Sequence, residues 1–246
     1  MFETLNLVLD KRIAWLNLNR PRALNAIDPQ MMQELRTAFR ELDDRQDVHV
    51  VVLRGEGRAF CAGMDLKWSE RITNKERVDS ARLGQKTFAC MEQMSTPVFA
   101  AIHGYTLGGG LELALHADFI VCSSNVRLGL PEITLSAEPP YRPKATADGD
   151  PDQPEFGGSA PAWGSLSRLP QLIGKARAKQ VILTGEHLDA QRAFELGIVN
   201  QVFAEEDFDA GVSELARRLA AINRYNLRLV KDMVNRGYDI IEGHPV

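Results

Sequence analysis

The chain has 246 residues, 44% hydrophobic and 25% charged, enough for one large domain or two small ones that bury a core without a disulfide framework. Its 29 basic against 33 acidic residues leave a formal net charge of -4, which excludes a global attraction to nucleic acid, and no apolar run reaches the roughly 20 residues that cross a bilayer. Cys61, Cys90 and Cys122 fit neither a secreted disulfide scaffold nor a paired-cysteine zinc site. With no targeting pattern at the N-terminus, a reducing, cytoplasmic setting is expected.

Residues 3–18 hold two alternating stretches, LNLVL and IAWLNLN, separated by Asp10 and Lys11, which predicts an antiparallel hairpin. Asp28 is placed to cap a helix with Pro29 in its first turn, and Met31, Met32, Leu35, Ala38, Phe39 and Leu42 fall on one face. VHVVVLR, residues 48–54, reads as a strand buried on both sides. A glycine-containing loop follows. Thr73 and Glu76 stand at capping-box spacing before a long helix that Pro97 has stopped. PVFAAI then predicts a strand, GGGLELALH a short helix and DFIVC another strand, an order that calls for parallel crossovers in an α/β architecture. The C-terminal third is expected to be helical, with Asp189 capping AQRAFEL before Gly197 and amphipathic stretches over roughly 204–222 and 225–237. Between Ala137 and Pro161 lie six of the 12 prolines, so helix and central strand are both disfavoured there. The segment reads as a solvated insertion or a cover over a substrate.

Most informative is HGYTLGGGLELALHADFIV, residues 103–121. Three glycines between a buried strand and a helix let backbone N–H groups approach an anion, or simply let strand and helix pack closely. Glu112 sits inside that helix among Leu111, Leu113, Ala114 and Leu115, and a carboxylate in apolar company is seldom buried without a task. The bland alternative is an exposed first-turn glutamate. Glu132 follows Pro131 at the start of a helical turn; it is a structural residue on its own, or half of an acid/base pair if the fold brings it to Glu112. The loop GRAFCAGMDLKW, residues 57–68, offers a second backbone donor near Met64, and Lys67 is either a phosphate contact or a solvated surface charge. The five histidines, His49, His103, His116, His187 and His244, show no metal-ligand spacing, so no metal is expected. Cys61 lacks an evident histidine partner as a nucleophile.

NRPRALNA (19–26), AFCAGMDLK (59–67), GYTLGGGLELALHADF (104–119) and LPEITL (130–135) together resemble the enoyl-CoA hydratase/isomerase, or crotonase, family. The resemblance implies an α/β spiral of ββα units, with a core over residues 1–190 interrupted by the proline-rich insertion at about 137–160, and a C-terminal helical trimerisation region over 191–246. It implies an acyl-CoA thioester substrate, with no cofactor beyond the CoA in that substrate, no nucleic-acid or membrane partner, and a homotrimer or dimer of trimers. Carried over position by position, it puts the oxyanion hole at the backbone N–H groups of Met64 and Gly109. Glu112 would activate water and Glu132 would deliver a proton. Arg22, Ala23, Leu24, Ala62, Asp65, Leu66 and Lys67 would surround substrate or CoA, and Lys231 would reach a neighbouring subunit's ligand.

The implied reaction is hydration of an enoyl-CoA thioester. Isomerisation, carnitinyl-CoA-type dehydration and decarboxylation are the alternatives within the family, and a catalytically idle RNA-binding or scaffold homologue is the alternative outside enzymes. One departure stands out. Family members follow the LPE segment closely with P-G-x-G-G-T-Q-R-L, whereas PAWGSLSRL occurs here only at 161–169, with Ala162, Trp163 and Ser165 in glycine-rich positions. The insertion is therefore expected to shape the acyl end of the site.

Overall fold

The computed structural model describes residues 2–134 and 160–237. The proline-rich insertion expected at about 137–160 therefore lies, apart from its last residue, outside the described residues. Strands β1 (Leu5–Asp10) and β2 (Ile13–Leu18) form the expected hairpin, with Lys11 taking the positive φ of its turn. Helix α1 (Pro29–Asp44) starts at Asp28, whose side chain accepts from the Met31 N–H at 2.8 Å. Strands β3 (Val50–Gly55) and β4 (Ala59–Cys61) lead into a one-turn helix, α2 (Leu66–Ser69), and then α3 (Asn74–Gln93), which carries the full Thr73 and Glu76 capping box. Next come β5 (Val98–Ile102), β6 (Tyr105–Leu107) and α4 (Gly109–Ala114), then β7 (Phe119–Ser123) and β8 (Arg127–Gly129). After a 3-10 turn at Pro131–Ile133, the described chain resumes with α5 (Ser165–Ile173), α6 (Lys175–Thr184), β9 (Leu188–Asp189), α7 (Ala190–Leu196), β10 (Gln201–Phe203), α8 (Phe208–Ala221) and α9 (Arg224–Arg236).

Two sheets result. The larger has the order β1-β2-β3-β5-β7-β10, parallel except for the hairpin, and the smaller runs β4-β6-β8-β9. Each successive pair, β3 with β4, β5 with β6 and β7 with β8, gives one strand to each sheet, so repetition of a strand-strand unit builds the expected spiral. Burial explains why it holds. Leu16, Val51, Leu53, Ala100 and Ile102 on one face of the large sheet join Phe60 and Leu128 of the small sheet and Leu35, Phe39 and Phe88 of α1 and α3 in the main core. Ile13, Val50, Val52, Phe99 and Val121 on the other face are covered by Phe208, Val212 and Ala216 of α8. Alternating residues of one strand thus enter two cores, which is why these segments read as continuous apolar runs.

The division expected at residue 190 is crossed by the chain. Strand β10 lies beyond it, yet pairs with β7 at the edge of the large sheet, and α8 covers that sheet's second face. Residues after 191 are therefore part of the core rather than a purely helical appendage.

Candidate active site

The site is assembled where β4, β6 and β8, neighbours in the small sheet, end together. Parallel pairing sets Leu107 of β6 opposite Gly129 of β8, and the Gly108 N–H donates to the Gly129 carbonyl at 2.9 Å. Helix α4 therefore begins beside the turn that carries Glu132. On the other side the loop after β4 is pinned through Ile27, whose N–H donates to Gly63 O at 2.8 Å and whose carbonyl accepts from Asp65 N–H at 2.9 Å.

Three glycines make the close approaches possible. Gly63, at φ +100°, lies so near α4 that a Cβ there would stand 2.8 Å from Leu107 O and 3.3 Å from Gly109 N. A Cβ on Gly110 would lie 2.2 Å from the Cys61 carbonyl oxygen, and Gly108 turns the chain at φ +51°. The backbones of Met64 and Gly109 are thus brought side by side. Gly109 opens α4, where N–H groups have no intrahelical acceptor, and among the described residues no hydrogen-bond acceptor is found for the Met64 N–H. Two free backbone donors at one place suit an oxygen that gains negative charge.

Glu112, only 2% exposed, is held from across the chain. Its Oε1 accepts from Trp163 N–H at 2.8 Å, Ser165 N–H at 3.1 Å and Ser165 Oγ at 3.0 Å. Burial raises its pKa, while these donors pull the other way by favouring the carboxylate. Beneath it, His116 Nδ1 lies 2.7 Å from the Glu112 carbonyl oxygen, a geometry that requires Nδ1 to carry the proton. Burial lowers the His116 pKa to about 4, so the ring is a neutral brace for α4.

Glu132 has the opposite environment. A Cβ on Gly108 would touch its Oε1 at 3.0 Å, and its Oε2 is buried without a hydrogen-bond partner among the described residues. Burial, with the charge of Glu112 adding to it, pushes the Glu132 pKa up to about 7. Gly108 answers the question the sequence left open: it stands against Glu132 Oε1 and accepts the Glu112 N–H at 2.9 Å, so the fold brings the two glutamates to the first turn of α4. Burial raises both carboxyls, but Glu112 Oε1 accepts from three donors while Glu132 Oε2 has none among the described residues, so the two environments favour the charged form unequally.

Other expected positions divide. Arg22, exposed, and Ala23, half-buried, lie on a 3-10 turn, Pro21–Ala23, and Leu24 closes it at φ 52°. The Leu24 carbonyl accepts from Ala62 N–H at 2.9 Å, which joins this turn to the loop beside Met64. Leu66 and Lys67 are exposed on α2. Asp65 has a structural task instead: it caps α2 through Trp68 N–H and pairs with Arg20 at 2.9 Å. Lys231 departs further from expectation. Its ammonium is buried inside the protomer, 2.9 Å from Asp118 Oδ2 and 3.4 Å from Thr96 O, so it is committed to an internal ion pair rather than extended toward a neighbour.

Sequence reasoning did not single out Asn25, Trp163 and Ser165 as parts of the site. Fully buried Asn25 accepts from Arg20 N–H at 2.9 Å and donates to Glu56 O and Ala59 O at 2.9 and 2.8 Å, fixing the turn beside β4. For Trp163 and Ser165 the signal was the altered PAWGSLSRL segment. Cys61 is buried with its thiol pushed up to about 12 by burial, which excludes a ready thiolate. Among the described residues no group of three or more His, Cys, Asp or Glu side chains could hold a metal ion, and no helix is long and apolar enough to cross a membrane.

The family model for enoyl-CoA hydratase/isomerase matches residues 9–145 and 152–243. The chain belongs to the enoyl-CoA hydratase/isomerase family. Crotonyl-CoA hydratase of Syntrophomonas wolfei is 33% identical over 235 residues, covering 94% of this chain and 82% of that protein. A short-chain-enoyl-CoA hydratase of Clostridium acetobutylicum is 31% identical with the same coverages, 94% and 82%. In three dimensions, an enoyl-CoA hydratase from Bacillus anthracis superposes with a TM-score of 0.85 at 30% identity, over 98% of this chain and 86% of that one. DspI of Pseudomonas aeruginosa gives 0.82 at 27% identity, over 94% and 80%. The chain is thus an enzyme-family member with the crotonase fold.

Proposed function

We propose that this family member is an enoyl-CoA hydratase, adding water reversibly across the 2,3-double bond of an enoyl-CoA thioester. The observation that carries the reading is the pairing of Glu112 and Glu132 in contrasting environments beside the Met64 and Gly109 backbones. In the proposed reaction the thioester carbonyl oxygen accepts from those two N–H groups. Glu112 takes a proton from water as its oxygen bonds to C3, electrons move onto the thioester oxygen as an enolate, and Glu132 gives its proton to C2 as the carbonyl re-forms. Glu112 then holds the water proton and Glu132 is ionised; proton exchange with solvent resets the pair. Every atom comes from substrate and water, so no cofactor beyond the CoA of the substrate enters.

The turn at Arg22 to Leu24 and Lys67 on α2 flank the loop after β4 and are assigned to the CoA portion. Assembly as a homotrimer or dimer of trimers in the cytoplasm belongs to the same proposal; exposed Val230 and Val234 on α9 supply apolar surface for it. The test is loss of absorbance of the conjugated enoyl thioester on addition of enzyme to crotonyl-CoA and to longer, branched and aromatic enoyl-CoAs. Hydration of at least one is expected. If CoA esters bind and none loses its conjugated double bond, the hydratase reading is wrong.

A further inference from the structure

Trp163 occupies a position that the proposed chemistry leaves unexplained. Its backbone N–H is on Glu112 Oε1, while its indole, 5% exposed, is clamped between α3 and α4. A Cβ on Gly109 would stand 2.2 Å from Cζ3, and one on Gly84 would stand 2.3 Å from Cδ1. The Phe88 ring meets it edge-on, with centroids 5.6 Å apart and planes at 86°. Glycine at both flanking positions makes room for the ring. The indole also lines a cavity of about 320 Å³, with Ile27, Met32, Trp68, Ile72 and Leu83 among its apolar residues and Glu76 and Asp79 among its polar ones.

We propose that Trp163 is a specificity-determining residue, whose indole walls off the acyl side of the pocket and confines the enzyme to short-chain enoyl thioesters. This rests on the hydratase reading of the same site. There, the thioester oxygen lies at Gly109 and C3 lies at Glu112. Trp163 touches both: ring against the first, main-chain N–H on the second. A chain growing beyond C3 has to pass the indole, and the ring is held by packing from two helices. Burying one further methylene in an apolar pocket is worth about fourfold in affinity. A chain stopped by the indole forfeits that gain.

Saturated acyl-CoAs test the wall without turnover. Isothermal titration of the full chain with butyryl-CoA and octanoyl-CoA is expected to show octanoyl-CoA binding no tighter in the wild type. In Trp163→Ala or Trp163→Leu the affinity ratio should shift toward octanoyl-CoA by about tenfold or more. Thermal melts identify the variants that fold, and Trp163→Leu keeps apolar contact with Phe88 if alanine leaves too large a void. A wild type that already binds octanoyl-CoA tenfold tighter overturns the proposal, as do folded variants that keep the wild-type ratio. Because saturated esters have no double bond to hydrate, a shifted ratio with no hydration of any enoyl-CoA would refute the hydratase reading while leaving the wall in place.

Discussion

Glu112→Gln and Glu132→Gln are each expected to keep acyl-CoA binding and to lower kcat for hydration by about 10²- to 10⁴-fold, the usual contribution of a positioned acid or base. The two changes are not equivalent. Glutamine at 112 still accepts the hydrogen bonds from Trp163 and Ser165 through its amide oxygen, so geometry persists while the base is lost. Glutamine at 132 replaces a carboxyl whose Oε2 has no partner, so proton delivery is lost with little change in packing. In the proposed reaction Glu132 gives up a proton to C2, and its pKa is raised to about 7. The rate should therefore fall as pH rises through about 7, with the apparent value belonging to the coupled pair. Stability follows the same sign. A carboxyl raised from 4.5 to about 7 on folding contributes stability that is fully present below 4.5 and lost as pH rises through about 7. Glu132→Gln should flatten that part of the stability profile, and denaturant unfolding at several pH values measures it. Undiminished hydration in both variants would remove the carboxyl pair from the mechanism.

Gly110→Ala should damage both the site and the fold. Its Cβ would stand 2.2 Å from the Cys61 carbonyl oxygen and 2.8 Å from Cys61 Cβ. The nearest obstacle is backbone, so no rotamer relieves it. Helix α4, buried along its whole length, has to move away from β4, carrying the Gly109 N–H away from Met64 and Glu112 away from its donors. A misplacement on the order of 1 Å costs about 10²-fold in rate, and overpacking costs about 1–3 kcal/mol in stability. Steady-state kinetics with thermal unfolding checks both. Gly197→Ala is the contrast: that glycine caps α7 at φ +83° with nothing within 4 Å of a Cβ, so it should lower stability modestly through backbone strain and leave turnover intact. Wild-type kcat/KM in Gly110→Ala would show that the close approach of α4 to β4 does not set the site.

Where local chemistry dictates structure, the sequence was legible. Asp28 and the Thr73 with Glu76 box mark helix starts because caps are side-chain events within three residues. The hairpin and the valine-rich β3 declare themselves by alternation and by continuous apolarity. Strands β4, β6, β8 and β10 span three residues each, too few to establish a period, and they form because longer neighbours position them. That is why the second sheet, and the return of β10 to the first, were not foreseen. Glu112 and Glu132 were recognisable as carboxyls in apolar company, yet what distinguishes them comes from afar: the donors on Glu112 lie 51 and 53 residues away in sequence. The partners of Lys231, Asp118 and Thr96, are likewise distant in sequence and meet it only once α9 has docked.

The most direct measurement is to run crotonyl-CoA with the enzyme in D₂O and to locate the new atoms by mass spectrometry and NMR. One deuterium at C2 and a hydroxyl at C3 is the result predicted for Glu112 and Glu132 acting as base and acid. A moved double bond with no added water, or a thioester returned unchanged although it binds, would contradict that assignment.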